Sequence, residues 1–459
     1  MYESYLKAVD ENREKILEIS DAIYDFAETC YGEFRSSECL EDALEQEGFT
    51  VERGAGGIPT CFIATYGSGK PVIAIQAEYD ALAGLSQKPC AVKPTPVKGR
   101  TNAHGCGHNL FAAGSFGAAL AIKKYLEETG KGTLRLYGCP AEEGGAGKVF
   151  MVREGLYKDV DAVVSWHPTT FHMVRTRPSL ANVKVEYSFK GIAAHAGGSP
   201  EKGRSALDAV ELMNVGANYL REHMKTTYRL HYAMTDNGGE APNVVQSHAA
   251  VVYLMRADTA KEAQELKRRV DLIAKGAAMM TETRMSKKVI SAYSDLITVK
   301  ALQTLADEAM RDTALPVPTE EDLAYAKALQ KTMPGLTEEQ KAKSPYATEV
   351  LIPAPPKPHG GSTDTADVSW NCPTVQMHIG NWVEGTPGHS WQAVSQGKSH
   401  FAQEATLYAS KCVSGTVIRL FERPEVLAEV KREHAEKTKG GYVCPLPKNV
   451  KPALKKRPE

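Results

Sequence analysis

The sequence predicts an α/β fold, a mostly parallel sheet with flanking helices, into which a smaller α+β unit is inserted. Three observations predict it. Short β-rich runs alternate with helical stretches between residues 61 and 166, the pattern of a largely parallel sheet. Near residue 182 the texture changes to alternating apolar and polar residues, as in a half-exposed strand. After residue 374 a strand and a long helix of the first kind return.

The elements follow in order. Ile16, Ile19, Ile23 and Phe26 recur at helical spacing, as do Leu40, Ala43 and Leu44 before Gly48, so the first 50 residues read as one long helix and the start of another. Strands are expected at 61–66, 72–77, 134–138 and 162–166, with a helix over 110–128 stopped by Gly130. Val183, Val185, Tyr187 and Phe189 then alternate with polar residues, followed by a helix at 206–224, an alternating run at 249–255 and a charged helix at 260–277. This β-α-β-α grouping suits a small insert domain with an open sheet. Helical patterning resumes at 298–311, and a Pro-rich, charged stretch at 315–358 is expected to wrap the surface as a long excursion. A strand at 374–379 and a helix at 400–419 complete the main unit, and a Lys- and Pro-rich tail is expected to be solvated. The expected division is a discontinuous catalytic domain (1–181 and 296–438), an insert (182–295) and a basic tail (439–459).

Composition narrows the function. The 459 residues are 42% hydrophobic and 24% charged, which supplies a core and argues against wholesale disorder. Lys and Arg number 55 against 56 Asp and Glu, so the basic footprint of a nucleic-acid or acidic-membrane partner is missing. No apolar run approaches the ~18 residues of a membrane span, and the N-terminus lacks the apolar region of a signal peptide. A cytoplasmic enzyme is the expectation. The nine cysteines are scattered singly, which argues against a disulfide framework and makes each a small buried hydrophobe by default.

Three β runs end in residues able to hold or support a metal. The first runs into Glu78 and Asp80, the second into Cys139-Pro140-Ala141-Glu142-Glu143, the third into His167-Pro168. Ligand sites of open α/β sheets lie beyond the carboxyl ends of the strands, so the fold itself brings these side chains to one crevice. Between the first two runs lies a Gly-rich turn holding Cys106 and His108. A Cys-x-His pair alone reads more readily as a buried thiol beside a hydrogen-bonded imidazole than as a metal site; the neighbouring Glu pair and His167 tip the balance to metal. Paired Cys-x-x-Cys units are absent, and the mixed, carboxylate-rich set suggests an open catalytic centre rather than a closed structural one. Glu142 and Glu143 read either as a solvated acidic turn or as one ligand and one general base, since adjacent residues leaving a strand point different ways. Gly147-Lys148 is not a phosphate loop, because the position five before Gly147 is Glu142.

The strings AEYDAL, NAHGCGHNL, PAEEGGAGK, WHP, FKGIAAHAG, PNVV and GGSTDTADVSW, in this order across roughly residues 10–420, resemble the dinuclear-metal aminoacylase and carboxypeptidase superfamily. Within it they are most similar to the amidohydrolase branch of hippurate and auxin-conjugate hydrolases. The resemblance implies a zinc-exopeptidase-like catalytic domain with an inserted lid and dimerisation domain. It implies a pair of divalent metal ions held by Cys106, His108, Glu143, His167 and His389, the last with His359, His378 and His400 as nearby competitors. Glu142 would be the general base, and Asp80 would orient the ligands by a hydrogen bond. His195 would stabilise the oxyanion, often across a dimer, while Asn243 and Arg256 would contact the substrate's carbonyl or carboxylate. A thiolate favours Zn, whereas the carboxylates and imidazoles also suit Mn or Co. One departure from the branch is Glu78, where Asp is common.

The expected activity is hydrolysis of N-acyl or N-aroyl amino acids, aminobenzoyl-glutamate-like substrates included. The expected assembly is a homodimer or a hetero-oligomer with a related subunit. Two rivals are an aminohydrolase releasing ammonia or an arylamine from an aromatic substrate, and a chain weakly active without a paralogous partner.

Overall fold

The computed structural model describes residues 3–333, 335–352 and 361–457. Among these, eleven strands form two sheets. In chain order they are β1 (Thr50–Arg53), β2 (Phe62–Ser68), β3 (Val72–Glu78), β4 (Gly132–Cys139), β5 (Ala162–Thr169), β6 (Met173–Val174), β7 (Ala181–Lys190), β8 (Arg229–Asp236), β9 (His248–Ala257), β10 (Arg284–Tyr293) and β11 (Thr374–Gly380). The first sheet runs β1-β2-β4-β3-β5-β11-β6. Its centre, β4, β3, β5 and β11, is parallel, while β1, β2 and β6 join antiparallel. The second sheet, β10-β7-β9-β8, is antiparallel throughout.

Burial explains the two sequence textures. Every residue of β3 is buried, as in a strand covered on both faces. In β7, Val183, Val185, Tyr187 and Phe189 are buried and the residues between them are half-exposed, as in a sheet with one face on a core. The helix His108–Thr129 is buried nearly all round, which places it inside the main unit. Its small residues let the helix His400–Glu422 approach closely: Ser410 Oγ donates to the Gly114 carbonyl at 2.8 Å and Ser414 Oγ to that of Ala118 at 3.3 Å.

Several expectations change. The N-terminal segment forms three helices, Glu3–Glu11, Arg13–Phe26 and Phe34–Gln46. The first break falls at Asn12, whose side chain donates to the Ala8 carbonyl at 2.8 Å and competes with the helix ladder. The 315–358 stretch does not simply wrap the surface. It contains the helix Glu320–Gln330, started by a Thr319–Asp322 capping box, with Ala326 and Leu329 in the core. Tyr346 stacks on Phe401 with centroids 3.8 Å apart. Pro334, Pro353, Pro355, Pro356, Pro358 and His359 lie outside the described residues. The tail is exposed along most of its described length, as expected, but is pinned at points: Leu446 is buried, and Tyr442 Oη donates to Asp367 Oδ1 at 2.9 Å.

Candidate active site

The carboxyl ends of the four parallel strands deliver the site. β3 ends at Glu78 with Asp80 two residues on; β4 leads to Glu142 and Glu143; β5 carries His167; the chain after β11 returns with His389. Cys106 and His108 occupy the turn that opens the helix His108–Thr129. Gly107 has φ +74°, and a Cβ there would sit 3.0 Å from the Trp382 ring and 3.1 Å from Pro168. Gly147 closes the Glu-bearing loop, where a Cβ would fall 1.8 Å from the Pro140 carbonyl oxygen. Ala141, beside Glu142, and His389 itself hold positive φ values of 60° and 56°, a strain that a fixed side-chain direction sustains.

The side chains converge. Cys106 Sγ is 3.4 Å from His167 Nε2, and His389 Nε2 is 3.3 Å from Glu143 Oε1. His108 Nε2 is 3.2 Å from Glu78 Oε2, while its Nδ1 donates to Asp80 Oδ1 at 2.9 Å. The other Asp80 oxygen accepts the Glu143 backbone N–H at 2.8 Å, so one carboxylate fixes both an imidazole and the Glu pair. The His389 backbone N–H bonds the Gly105 carbonyl at 3.1 Å, tying its loop to the Cys106 turn.

Three overlapping groups have donor atoms within 4.8 Å of one another: Cys106, His108 and His167; Cys106, Glu143 and His389; Glu78, His108 and Glu142. His108 Nε2 and Glu143 Oε1 are buried without a hydrogen bond, although neighbours stand at contact distance. The Cys106 sulfur with imidazoles and carboxylates, two of whose buried polar atoms have no hydrogen bond, makes a donor set that fits divalent cations.

Enclosure and like charge shape the electrostatics. Burial, then the nearby Glu78 and Glu143, push the Glu142 carboxyl well above the carboxylate range. Burial would also raise Glu143, but the His389 imidazole at 3.3 Å and the His108 charge outweigh it and hold it at about 2. Burial, with His108 close by, lowers His167 to about 4, so its imidazole is neutral and able to donate a lone pair. Two adjacent carboxyls are thus driven apart, one toward carrying a proton and one toward permanent charge.

These residues open into a cavity of about 630 Å³. Cys106, Glu142, Glu143, His167 and His389 line one part; Phe171, Met173, Leu351 and Ile352 supply apolar wall; Arg175, Arg177 and His378 complete it. Arg256 stands beside this wall and donates to Ser362 Oγ at 2.7 Å. His195 and Asn243 are not brought here. They sit on adjoining exposed loops of the second sheet, joined by an N–H of Ala196 to the Asn243 carbonyl at 2.9 Å. Of the rivals to His389, His400 instead pairs with Asp322 at 2.8 Å.

The sequence pattern of peptidase family M20/M25/M40 matches residues 74–347, from β3 past β10. The chain belongs to this family. It is 44% identical to a p-aminobenzoyl-glutamate hydrolase subunit of Escherichia coli (strain K12), covering 97% of both chains. It is 27% identical to the Xaa-Arg dipeptidase of Mus musculus over 93% of this chain and 90% of that one. A solved aminobenzoyl-glutamate utilization protein from Klebsiella pneumoniae shares the fold, with TM-score 0.60, 19% identity, and 90% and 98% of the two chains covered. As an M20-family member, the chain is a hydrolytic enzyme acting on amide bonds.

Two residues of this M20 site escaped the sequence reading. Lys148 is fully buried, with Nζ 2.6 Å from Glu78 Oε1 and 2.5 Å from Asp364 Oδ1. Asp364 also accepts the Lys148 backbone N–H at 2.9 Å. This triad lies behind Glu142 and holds Glu78 charged against its burial. A lysine followed directly by Val149, Phe150, Met151 and Val152 was the available signal, since a lysine in so apolar a stretch needs a buried partner.

Proposed function

We propose that this M20-family enzyme cleaves the amide bond of N-aroyl and N-acyl amino acids, aminobenzoyl-glutamate foremost. The observation that carries the reading is the convergence of Cys106, His108, Glu143, His167 and His389 beside Glu142, opening into a cavity with an apolar wall and cationic groups. The name of the Escherichia coli relative supplies the substrate class.

Cys106, His108, Glu143, His167 and His389 would hold two divalent cations, with Asp80 fixing His108 and the Glu143 backbone. Bound there, the cations supply Lewis acidity toward the carbonyl and lower the pKa of a coordinated water toward ~7. Glu142 takes the proton of the attacking water as the carbon–oxygen bond forms. It then returns the proton to the nitrogen as the carbon–nitrogen bond breaks, releasing the amine and the acid. Its raised proton affinity suits the first task, and its place on the cavity wall puts it within reach of both the water and the departing nitrogen. The thiolate favours Zn and the remaining ligands accommodate Mn, so both ions are candidates.

Residues 182–295 are proposed as an inserted lid and dimerisation unit on the catalytic domain formed by 1–181 and 296–438. His195 Nδ1 accepts the backbone N–H groups of Gly197 and Gly198 at 3.1 and 3.0 Å, which leaves its proton on Nε2 as an outward donor. It reaches an oxyanion through lid movement or from a second chain, with Asn243 beside it, while Arg256 receives the substrate's α-carboxylate. β8 is an edge strand exposing Tyr232 and Met234, and the helix Ala206–Leu220 exposes Leu212, Val215 and Tyr219. An exposed apolar edge of this kind supports association with a second copy. The relative's designation as one subunit of a hydrolase favours a second reading, in which a related chain completes the activity.

No described helix is long and apolar enough to cross a membrane, and all nine cysteines are free, which supports a reducing, cytoplasmic setting. A panel of aminobenzoyl and other aroyl amino acids, assayed on stripped protein with and without Zn or Mn, tests the function. Metal-dependent release of aminobenzoate is expected. Ammonia release without amino-acid release would move the enzyme to the aminohydrolase class.

A further inference from the structure

β6 and the residues around it form a stripe. Phe171, Met173, Arg175 and Arg177 alternate along the chain and all line the cavity, while His172 and Val174 between them are buried in the core. Thr176 lines the cavity as well, so this wall carries two apolar, one hydroxyl and two cationic positions. Arg175 is fixed: its N–H bonds the Gln376 carbonyl at 2.9 Å, its Nη1 donates to Gln376 Oε1 at 2.7 Å, and its carbonyl accepts Gln303 Nε2 at 3.0 Å. Its Nε reaches only the Arg177 carbonyl, at 3.4 Å. Arg177 Nε is buried without a hydrogen bond among the described residues. Neither guanidinium is bonded to a carboxylate among the described residues. Burial lowers Arg175 to about 10, an effect that the Glu142 carboxyl partly offsets.

Two half-buried guanidiniums on one wall, neither bonded to a carboxylate among the described residues, are costly unless an anion joins them. The proposed substrate already places its α-carboxylate at Arg256, and every amino-acid conjugate has that group. A second anion distinguishes only acidic amino acids. We infer that Arg175 and Arg177 form a subsite for the side-chain carboxylate of the leaving amino acid, and so select glutamate-type conjugates over neutral ones. Phe171 and Met173, next along the stripe, leave apolar wall for the aroyl group. The inference rests on the amidohydrolase reading and adds the residues that set its specificity.

The test compares kcat/KM for aminobenzoyl-glutamate and the near-isosteric aminobenzoyl-glutamine in the wild type, Arg177→Gln and Arg177→Lys. Charge-assisted hydrogen bonds of this kind correspond to about 10- to 100-fold. The wild-type glutamate-to-glutamine ratio is expected at or above that range, to fall toward one in Arg177→Gln through KM, and to lie between in Arg177→Lys. A wild-type ratio near one, or a ratio unmoved by Arg177→Gln, overturns the inference and leaves the amidohydrolase reading standing. A parallel calorimetric titration of metal-stripped protein with glutarate and with pentanoate needs no turnover. Glutarate is expected to bind more tightly to the wild type than to Arg177→Gln, and pentanoate to show no such difference. Equal glutarate binding by the two proteins also overturns the inference. If no aroyl amino acid is hydrolysed at all, the functional reading falls and the glutarate titration still decides the arginine subsite.

Discussion

Lys148 shows how a single side chain can organise a site it does not enter. Its ammonium is fully buried between Glu78 and Asp364, where the two carboxylates outweigh the burial that would otherwise neutralise it. Removing one partner of a buried ion pair leaves uncompensated charge and costs about 3–5 kcal/mol. Lys148→Met is therefore expected to lower the unfolding free energy by an amount of that order, and the urea midpoint with it, with Asp364→Asn, which keeps a polar partner, costing less. Equilibrium urea unfolding of the three proteins checks this; a Lys148→Met midpoint equal to the wild type would remove the triad's structural role. Glu78 entered the sequence reading as a strand-end residue able to hold or support a metal and as a departure from the family pattern, and its carboxylate lies within 4.8 Å of donor atoms of His108 and Glu142. Sequence alone named the residues that follow strand ends but not the buried cation behind them, because Lys148 and Asp364 are 216 residues apart.

Among elements, the strands that sequence reasoning missed share a position. β1, β6, β8 and β10 are the edges of their sheets, and edge strands lose the burial that writes apolar alternation into a sequence. β8 buries only Leu230, whereas β3, whose apolar run stands out in the sequence, is buried throughout. The cost was functional as well as topological, since β6 carries the stripe that ends in Arg175 and Arg177. The helix Thr365–Asn371 offers a pH test. Its Asp367 accepts Ser294 N, Ser294 Oγ and Tyr442 Oη at 2.9, 2.7 and 2.9 Å. Burial nevertheless pushes its carboxyl from 3.8 to about 7. The folded state then binds more protons than the unfolded between those values. The Asp367 contribution is accordingly complete below about pH 4 and lost as pH rises through about 7. Asp367→Asn is expected to flatten the decline of stability over that window, by up to about 1.4 kcal/mol per pH unit. Unfolding free energies at pH 4.5, 5.5 and 6.5 measure it, and identical slopes in the two proteins would contradict the assignment.

For the whole molecule, two sheets do different work. The parallel sheet gathers the proposed metal ligands from the ends of β3, β4, β5 and β11, a consequence of topology that the order of motifs already implied. The antiparallel sheet carries His195 and Asn243 on exposed loops, away from the cavity, and no sequence pattern shows which chain or motion brings them in. His195→Ala is expected to lower kcat by about 100-fold or more, the typical worth of one oxyanion donor. Mixing His195→Ala with Glu142→Gln under conditions of subunit exchange discriminates the routes. Recovered turnover shows donation across an interface, and none shows a lid closing within one chain.

The proposed mechanism turns on Glu142 as the group that moves the proton while other side chains hold the cations. Turnover of aminobenzoyl-glutamate by Glu142→Gln and wild type, at equal measured metal content, is the most direct test. Loss of at least 100-fold with metal content unchanged is expected, within the range of a lost general base. Near-normal turnover in Glu142→Gln would contradict the mechanism.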